Sequence, residues 1–273
     1  MREATVLVQT RLKNVSFMIV VLLLIARWDI AVAQEITTWS DVKVETMRET
    51  TQLVRLGEEI YKKACFYCHG EAGEGDGSGE RYLFTKPRDF TSGQFKIRST
   101  ATGSIPTDED LFRTITTGFP EFRMPRFEYL TPRERWALVY YIKRFASVFD
   151  TQEPEYPSAI GPSPPLTNGL LALGEEFYEA AECWKCHGRE GHGDGPSAPD
   201  LMDDWGHHSR VAAFALGPRA FKRGSSLQDI VQTFLTGLAG TPMPSYDGVF
   251  TNEQAWAVAY YVVSLVEKGG TTR

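Results

Sequence analysis

The sequence predicts an all-α protein made of two tandem units, and three observations carry that expectation. A pentapeptide holding two cysteines and a histidine occurs twice, as Cys65-Phe66-Tyr67-Cys68-His69 and, 118 residues later, as Cys183-Trp184-Lys185-Cys186-His187. The stretches leading into it repeat as well, Leu56-Gly57-Glu58-Glu59-Ile60-Tyr61 in the first unit and Leu173-Gly174-Glu175-Glu176-Phe177-Tyr178 in the second. Behind each pentapeptide the same helix start and stop signals return in the same order.

Residues 1–33 read as a secretory leader. Arg2, Arg11 and Lys13 precede an apolar run from Val15 to Ala26, and Ala31-Val32-Ala33 has the small-x-small form of a cleavage site, which puts the mature start near Gln34. That run is shorter than the roughly 20 residues that cross a bilayer. Nothing later is long and apolar enough either, so no membrane span is expected after the leader is removed. Its loss takes away Arg2, Arg11, Lys13 and Arg27 against Glu3 and Asp29, moving the formal charge from −6 to −8. Such acidity argues against nucleic acid as a partner and suits docking to basic patches on other proteins.

Residues 34–49 form a polar extension whose one large anchor is Trp39. The first unit, residues 50–150, opens on a helix that contains Gly57. A helical glycine costs about 1 kcal/mol relative to alanine, so its presence in both copies points to a close helix crossing, with Tyr61 on the same face four residues later. The receiving surface is expected to be the Trp136 and Tyr140 face of the unit's last helix; Gly174, Tyr178, Trp256 and Tyr260 repeat the scheme. The glycine-rich loops Gly70 to Gly77 and Gly188 to Gly195 lack the strand before and helix after of a nucleotide loop and read as tight turns. Cations follow each loop: Lys86, Arg88, Lys96 and Arg98, then Arg210, Arg219, Lys222 and Arg223. A short helix is capped by Thr107 and stopped at Gly118, as Ser226 and Gly237 do in the second unit. Thr131-Pro132-Arg133-Glu134 and Thr251-Asn252-Glu253-Gln254 are capping boxes that start each last helix. Prolines 154, 157, 162, 164 and 165 mark a linker over residues 151–167, as an extended connector or a strap, and residues 168–273 form the second unit.

Two thiols at this spacing with a histidine next to them are the covalent attachment signature of a c-type haem. Each thiol adds to one vinyl group of the porphyrin, and the histidine is held under the iron as proximal ligand. One copy alone also fits a thioredoxin-like redox pair or half of a zinc site. Zinc needs its ligands together in space, whereas these pairs sit in separate repeats, and the two motifs use all four cysteines. Met124 lies 55 residues after His69 and Met243 lies 56 after His187. Each follows the glycine that ends a helix and is held extended by the next proline, which suits it to supply a sixth iron ligand from the opposite side. The cations suit the haem propionates.

Each unit thus resembles a class I cytochrome c domain wrapped around one covalently bound haem, and the chain from about Thr50 to Lys268 resembles a tandem dihaem cytochrome c of bacterial periplasmic type. The resemblance implies two haem c groups attached at Cys65 and Cys68 and at Cys183 and Cys186. It implies His69 and Met124 as ligands of the first iron and His187 and Met243 of the second. It also implies a proline carbonyl that orients each histidine, for which Pro199 is the match in the second unit, while the first has no proline before Pro87. No catalytic residue is implied. The expected function is one-electron transfer between redox proteins in the periplasm, as a free carrier or as a relay subunit of a respiratory or oxidoreductase complex. The alternative is a dihaem enzyme of cytochrome c peroxidase or thiosulfate dehydrogenase type, with one of His192, His207 and His208 in place of Met243.

Overall fold

The computed structural model describes residues 39–157 and 159–270; the expected leader over residues 1–33 and its cleavage site lie outside the described residues. The first helix, α1 (Thr51–Ala64), starts where the Thr50 hydroxyl accepts from Leu53 N at 3.2 Å, and it buries Leu53, Gly57, Ile60 and Tyr61 along one stripe. A single turn, α2 (Phe66–His69), carries the end of the first motif. After a long irregular stretch come α3 (Asp108–Thr117), α4 (Pro132–Lys143) and the short α5 (Val148–Thr151). The second unit repeats the order with α6 (Asn168–Ala180), α7 (Trp184–His187), α8 (Leu227–Thr236) and α9 (Asn252–Gly270). The expected caps at Thr107, Thr131, Ser226 and Thr251 all form. Among the described residues there is no strand, only the isolated bridges Phe119 to Met124 and Met202 to His208, and each unit has its own apolar core.

The helix crossings form where the glycines predict them. A Cβ on Gly57 would overlap the carbonyl oxygen of Ala137 and come within 2.7 Å of Tyr141 Cβ; on Gly174 it would overlap the Ala257 carbonyl and lie 2.9 Å from Tyr261 Cβ. The receiving face, however, is not the Trp136 and Tyr140 face. Ala137 and Tyr141 lie one residue further on, about 100° round the helix, and the ring of Tyr61 meets Tyr141 and Phe145 at 5.3 and 5.2 Å. Tyr178 meets Tyr261 in the same way, at 5.2 Å.

Trp136 and Tyr140 hold the polar extension instead. Trp136 Nε1 donates to the Glu45 carbonyl at 2.8 Å, and the Tyr140 hydroxyl donates to that of Met47. In the second unit Trp256 Nε1 donates to Gly161 O at 3.1 Å and Tyr260 OH to Pro164 O at 3.0 Å. The extension and the proline linker are therefore one repeated element, an extended strap tied across the last helix of the unit it precedes. Its donors come from the helix because proline and extended backbone offer carbonyls without partners of their own.

The described residues form one compact unit, so the two halves pack against each other. Arg98 Nη2 donates to Thr236 O at 2.8 Å, Arg223 donates to Arg98 O, and Arg88 Nη2 donates to Ala239 O at 3.3 Å. Trp39 belongs to this joint: the guanidinium of Arg223 stands 4.2 Å from its ring centroid and that of Arg113 5.0 Å, while neighbouring Ser40 donates to Asp229.

Candidate haem sites

Each motif is presented by a local geometry that only its residues allow. Helix α1 runs out through Cys65, whose N–H still bonds to Tyr61 O at 2.9 Å, and His69 N closes the α2 turn on Cys65 O at 2.9 Å. Gly70, at a φ of 80°, then reverses the chain so that Gly75 N bonds to His69 O at 2.9 Å and Gly77 N to Cys68 O at 3.2 Å. The second loop repeats both bonds, Gly193 N to His187 O at 2.8 Å and Gly195 N to Cys186 O at 3.2 Å. The glycine loops are thus collars around the motif, not phosphate cradles.

Beside each motif opens an apolar cleft. The first is lined by Cys65, Cys68, His69 and Met124; the second is lined by Cys183, Cys186, His187 and Met243. All eight residues expected from the sequence are therefore gathered, four to a cleft. In each cleft the histidine ring is fixed from behind. His69 Nδ1 lies 3.1 Å from Arg88 O, and His187 Nδ1 lies 3.0 Å from Ala212 O. A carbonyl only accepts, so Nδ1 carries the proton and Nε2 keeps its lone pair for a metal. This corrects the expectation for Pro199, whose carbonyl faces His208 Nε2 at 3.0 Å. The orienting carbonyl comes 19 residues after His69 and 25 after His187, well beyond Pro199.

Two residues past each of those carbonyls stands a phenylalanine that the sequence alone did not single out. Phe90 stacks on His69 at 4.4 Å and 15°, and Phe214 on His187 at 4.5 Å and 17°. The readable signal was an aromatic behind the loop in both units, hidden by the unequal spacing.

Burial sets the charge state of these groups. It pushes His69 down to about 4 and His187 down as well, so both imidazoles are neutral near neutrality. Burial likewise pushes the Cys65 thiol up to about 12 and that of Cys183 to about 11, so both are protonated near neutrality. Among the described residues no three of His, Cys, Asp and Glu converge on a point. The zinc reading thus loses its donor set.

The cations divide into two groups. Arg98 and Arg223 are buried in the joint between the units, and Arg219 faces Glu121 at 4.0 Å, so these three do not serve a cleft. Lys86, Arg88 and Lys96 line the first cleft, Arg210 the second, and Lys222 both. Burial pushes Lys96 down to about 7, helped by Lys222 and Arg88, and Lys222 down to about 8, helped by Arg88 and Arg210. Half-buried ammonium groups pressed by other cations call for an anion, which the propionates of a haem supply. Neutral imidazole, paired thiols, thioether, apolar wall and cleft cations all fit that group.

The other histidines stay outside. None of His192, His207 and His208 lines the second cleft; all three are exposed, His192 beside Glu190 at 3.4 Å, His207 beside Asp203 at 3.7 Å and His208 against the Phe84 ring at 5.7 Å. Met202, the other methionine after the second motif, is 52% exposed.

Comparison with known proteins agrees with this geometry. Residues 52–142 match the family described as cytochrome c oxidase, cbb3-type, subunit III, and residues 171–266 match the family described as cytochrome c. No curated protein matches the chain. Among solved structures, a chain of the Kuenenia stuttgartiensis reducing HAO-like protein complex Kustc0457/Kustc0458 is 42% identical, superposes with a TM-score of 0.76, and matches 82% of this chain and 100% of its own length. The protein carries two covalently bound haem c groups and is an electron-transfer protein. It belongs to the c-type cytochromes, as a tandem dihaem member of class I.

Proposed function

We propose that the chain is a periplasmic electron relay that works as a subunit of a larger redox complex, with cytochrome domains over residues 50–150 and 168–273 behind a leader that is removed. In this reading Cys65 and Cys68 attach the first haem, and His69 and Met124 ligate its iron; Cys183, Cys186, His187 and Met243 do the same for the second. The observation that carries it is the grouping of cysteine pair, oriented imidazole and methionine in one cleft, twice, with every other histidine outside the second cleft. When bound, the haem would supply a one-electron couple, with His69 and Met124 in the first cleft and His187 and Met243 in the second as the residues that would hold its iron. The carbonyls of Arg88 and Ala212 hold the imidazoles, the apolar walls exclude water, and the cleft cations balance the propionates. Similarity to a chain from a reducing HAO-like complex supports docking to a partner enzyme over free diffusion.

The test is spectroscopic. The mature protein has the mass of its polypeptide plus two haems, and Met124→Ala and Met243→Ala each abolish one sulfur-to-iron absorption band of the ferric protein. A variant with an unchanged spectrum removes that ligand assignment. Fast, saturable peroxide turnover by the wild type replaces the relay with an enzyme.

A further inference from the structure

The two clefts share part of one wall. Phe122 and Lys222 line both of them. Phe122 comes from the first unit, at the end of the turn Pro120–Phe122, and Lys222 from the second. Lys222 Nζ stands 4.4 Å from the centroid of the Phe122 ring, and the guanidinium of Arg210 stands 5.7 Å from it. At this seam one side chain from each unit faces both clefts.

Charge gathers at the same place. Arg88, Arg210 and Lys96 act on Lys222, all of them cations; Arg88 and Lys96 line the first cleft and Arg210 the second. On the first side Lys96 is acted on by Lys222, Arg88 and Asp203. The carboxylates of Asp203, Asp204 and Asp89 act on Arg88. A half-buried ammonium lining two cavities, with cations pressing on it from both, is placed to take its counter-charge from what fills those cavities. A propionate reaching the seam from either side meets the same ammonium.

We propose that Lys222 is a counter-charge common to both haems, so that this one ammonium raises both potentials. The inference rests on the relay reading above. It makes no bond and moves no proton: with the haems bound, Lys222 would favour the reduced form of each. A cation stabilises an added electron nearby, so deleting it lowers the potential. A residue against one cleft moves one potential, and a residue against both moves two. The fold supplies the controls, since Lys96 lines only the first cleft and Arg210 only the second.

The experiment is a spectroelectrochemical titration of the haem-loaded protein at fixed ionic strength. Lys222→Gln lowers both midpoint potentials, Lys96→Gln lowers one, Arg210→Gln lowers the other, and Lys222→Arg keeps both close to wild type. If Lys222→Gln does not fold, Lys222→Met supplies the neutral side chain. Movement of a single midpoint, or of neither, overturns the shared counter-charge, as does a Lys222→Arg protein that behaves like Lys222→Gln. The two ideas fail separately. Two haems that keep the sulfur-to-iron band while one midpoint moves sink the role of Lys222 and leave the relay standing, whereas a wild-type haem lacking that band sinks the relay first.

Discussion

The two units agree wherever a side chain holds the haem site and differ wherever one unit meets the other or meets solvent. Crossing glycine, collar, oriented imidazole and stacked phenylalanine all recur with distances that match within a few tenths of an ångström, and the motif and the strap recur with them. The loop between motif and orienting carbonyl does not recur: it spans 19 residues in the first unit and 25 in the second. The longer one folds on itself through Asp203 N to His207 O at 2.7 Å and Ser209 N to Leu201 O at 2.8 Å, and it puts the Trp205 ring 4.1 Å from the guanidinium of Arg88. The surface beside the cysteines differs too. Phe66 and Tyr67 of the first motif are 44% and 53% exposed, whereas Trp184 of the second lies under Arg189 at 4.4 Å. Duplication therefore marks what a haem requires, and divergence marks what the units require of each other and of partners.

The largest expected effect tests the duplicated part. Alanine is the better helix former by about 1 kcal/mol, but its methyl group at position 57 or 174 would overlap a backbone carbonyl, which no rotamer change relieves. With an overpacking cost of about 3 kcal/mol, Gly57→Ala and Gly174→Ala each destabilise their own unit by about 2 kcal/mol net. Guanidinium unfolding followed at the haem bands measures this. If one variant is as stable as wild type, the two crossings are not equivalent and the comparison breaks there.

A smaller effect tests the straps. Trp136→Phe removes the donor to Glu45 O and Trp256→Phe the donor to Gly161 O, each at a cost of about 1.5 kcal/mol for a carbonyl left without its partner. Limited proteolysis then cuts the freed strap faster, in residues 39–49 in one variant and residues 151–167 in the other. Equal cutting of both straps in either single variant contradicts their independence.

Much of this was legible in the residues, because the decisive signals are local. A motif of five residues, a cap three residues from its acceptor and a helical glycine each carry their meaning within one turn or loop, so helix order, caps and the contents of both clefts follow directly. What the sequence concealed depends on phase or on distance. The receiving face was assigned to Trp136 and Tyr140 because bulky aromatics look like a packing surface. Ala137 and Tyr141 receive the crossing because a backbone-to-backbone contact needs a small residue. The orienting carbonyls of Arg88 and Ala212, and Phe90 and Phe214 behind them, have no type-specific signal in the first case and no common spacing in the second. The seam at Phe122 and Lys222 joins residues 100 positions apart, which no periodicity reveals.

The smallest expected effect sharpens the comparison most, because it isolates one atom in each unit. Tyr61 OH donates to Gly70 O at 2.8 Å and Tyr178 OH to Gly188 O at 2.7 Å, and both rings are buried at the helix crossing. Each bond ties the first helix to the residue that follows the motif's histidine, so it restrains the imidazole through the backbone. Tyr61→Phe and Tyr178→Phe keep ring, volume and stacking and delete only the donor, at about 1 kcal/mol apiece. Since the two sites share length, acceptor and burial, the two losses in denaturant midpoint come out equal, and the double variant shows their sum because the sites share no partner. Unequal losses would mean that the second unit's extra loop or the joint at Trp39 loads one histidine differently from the other, which would move the boundary between duplicated and divergent features inside the haem site itself.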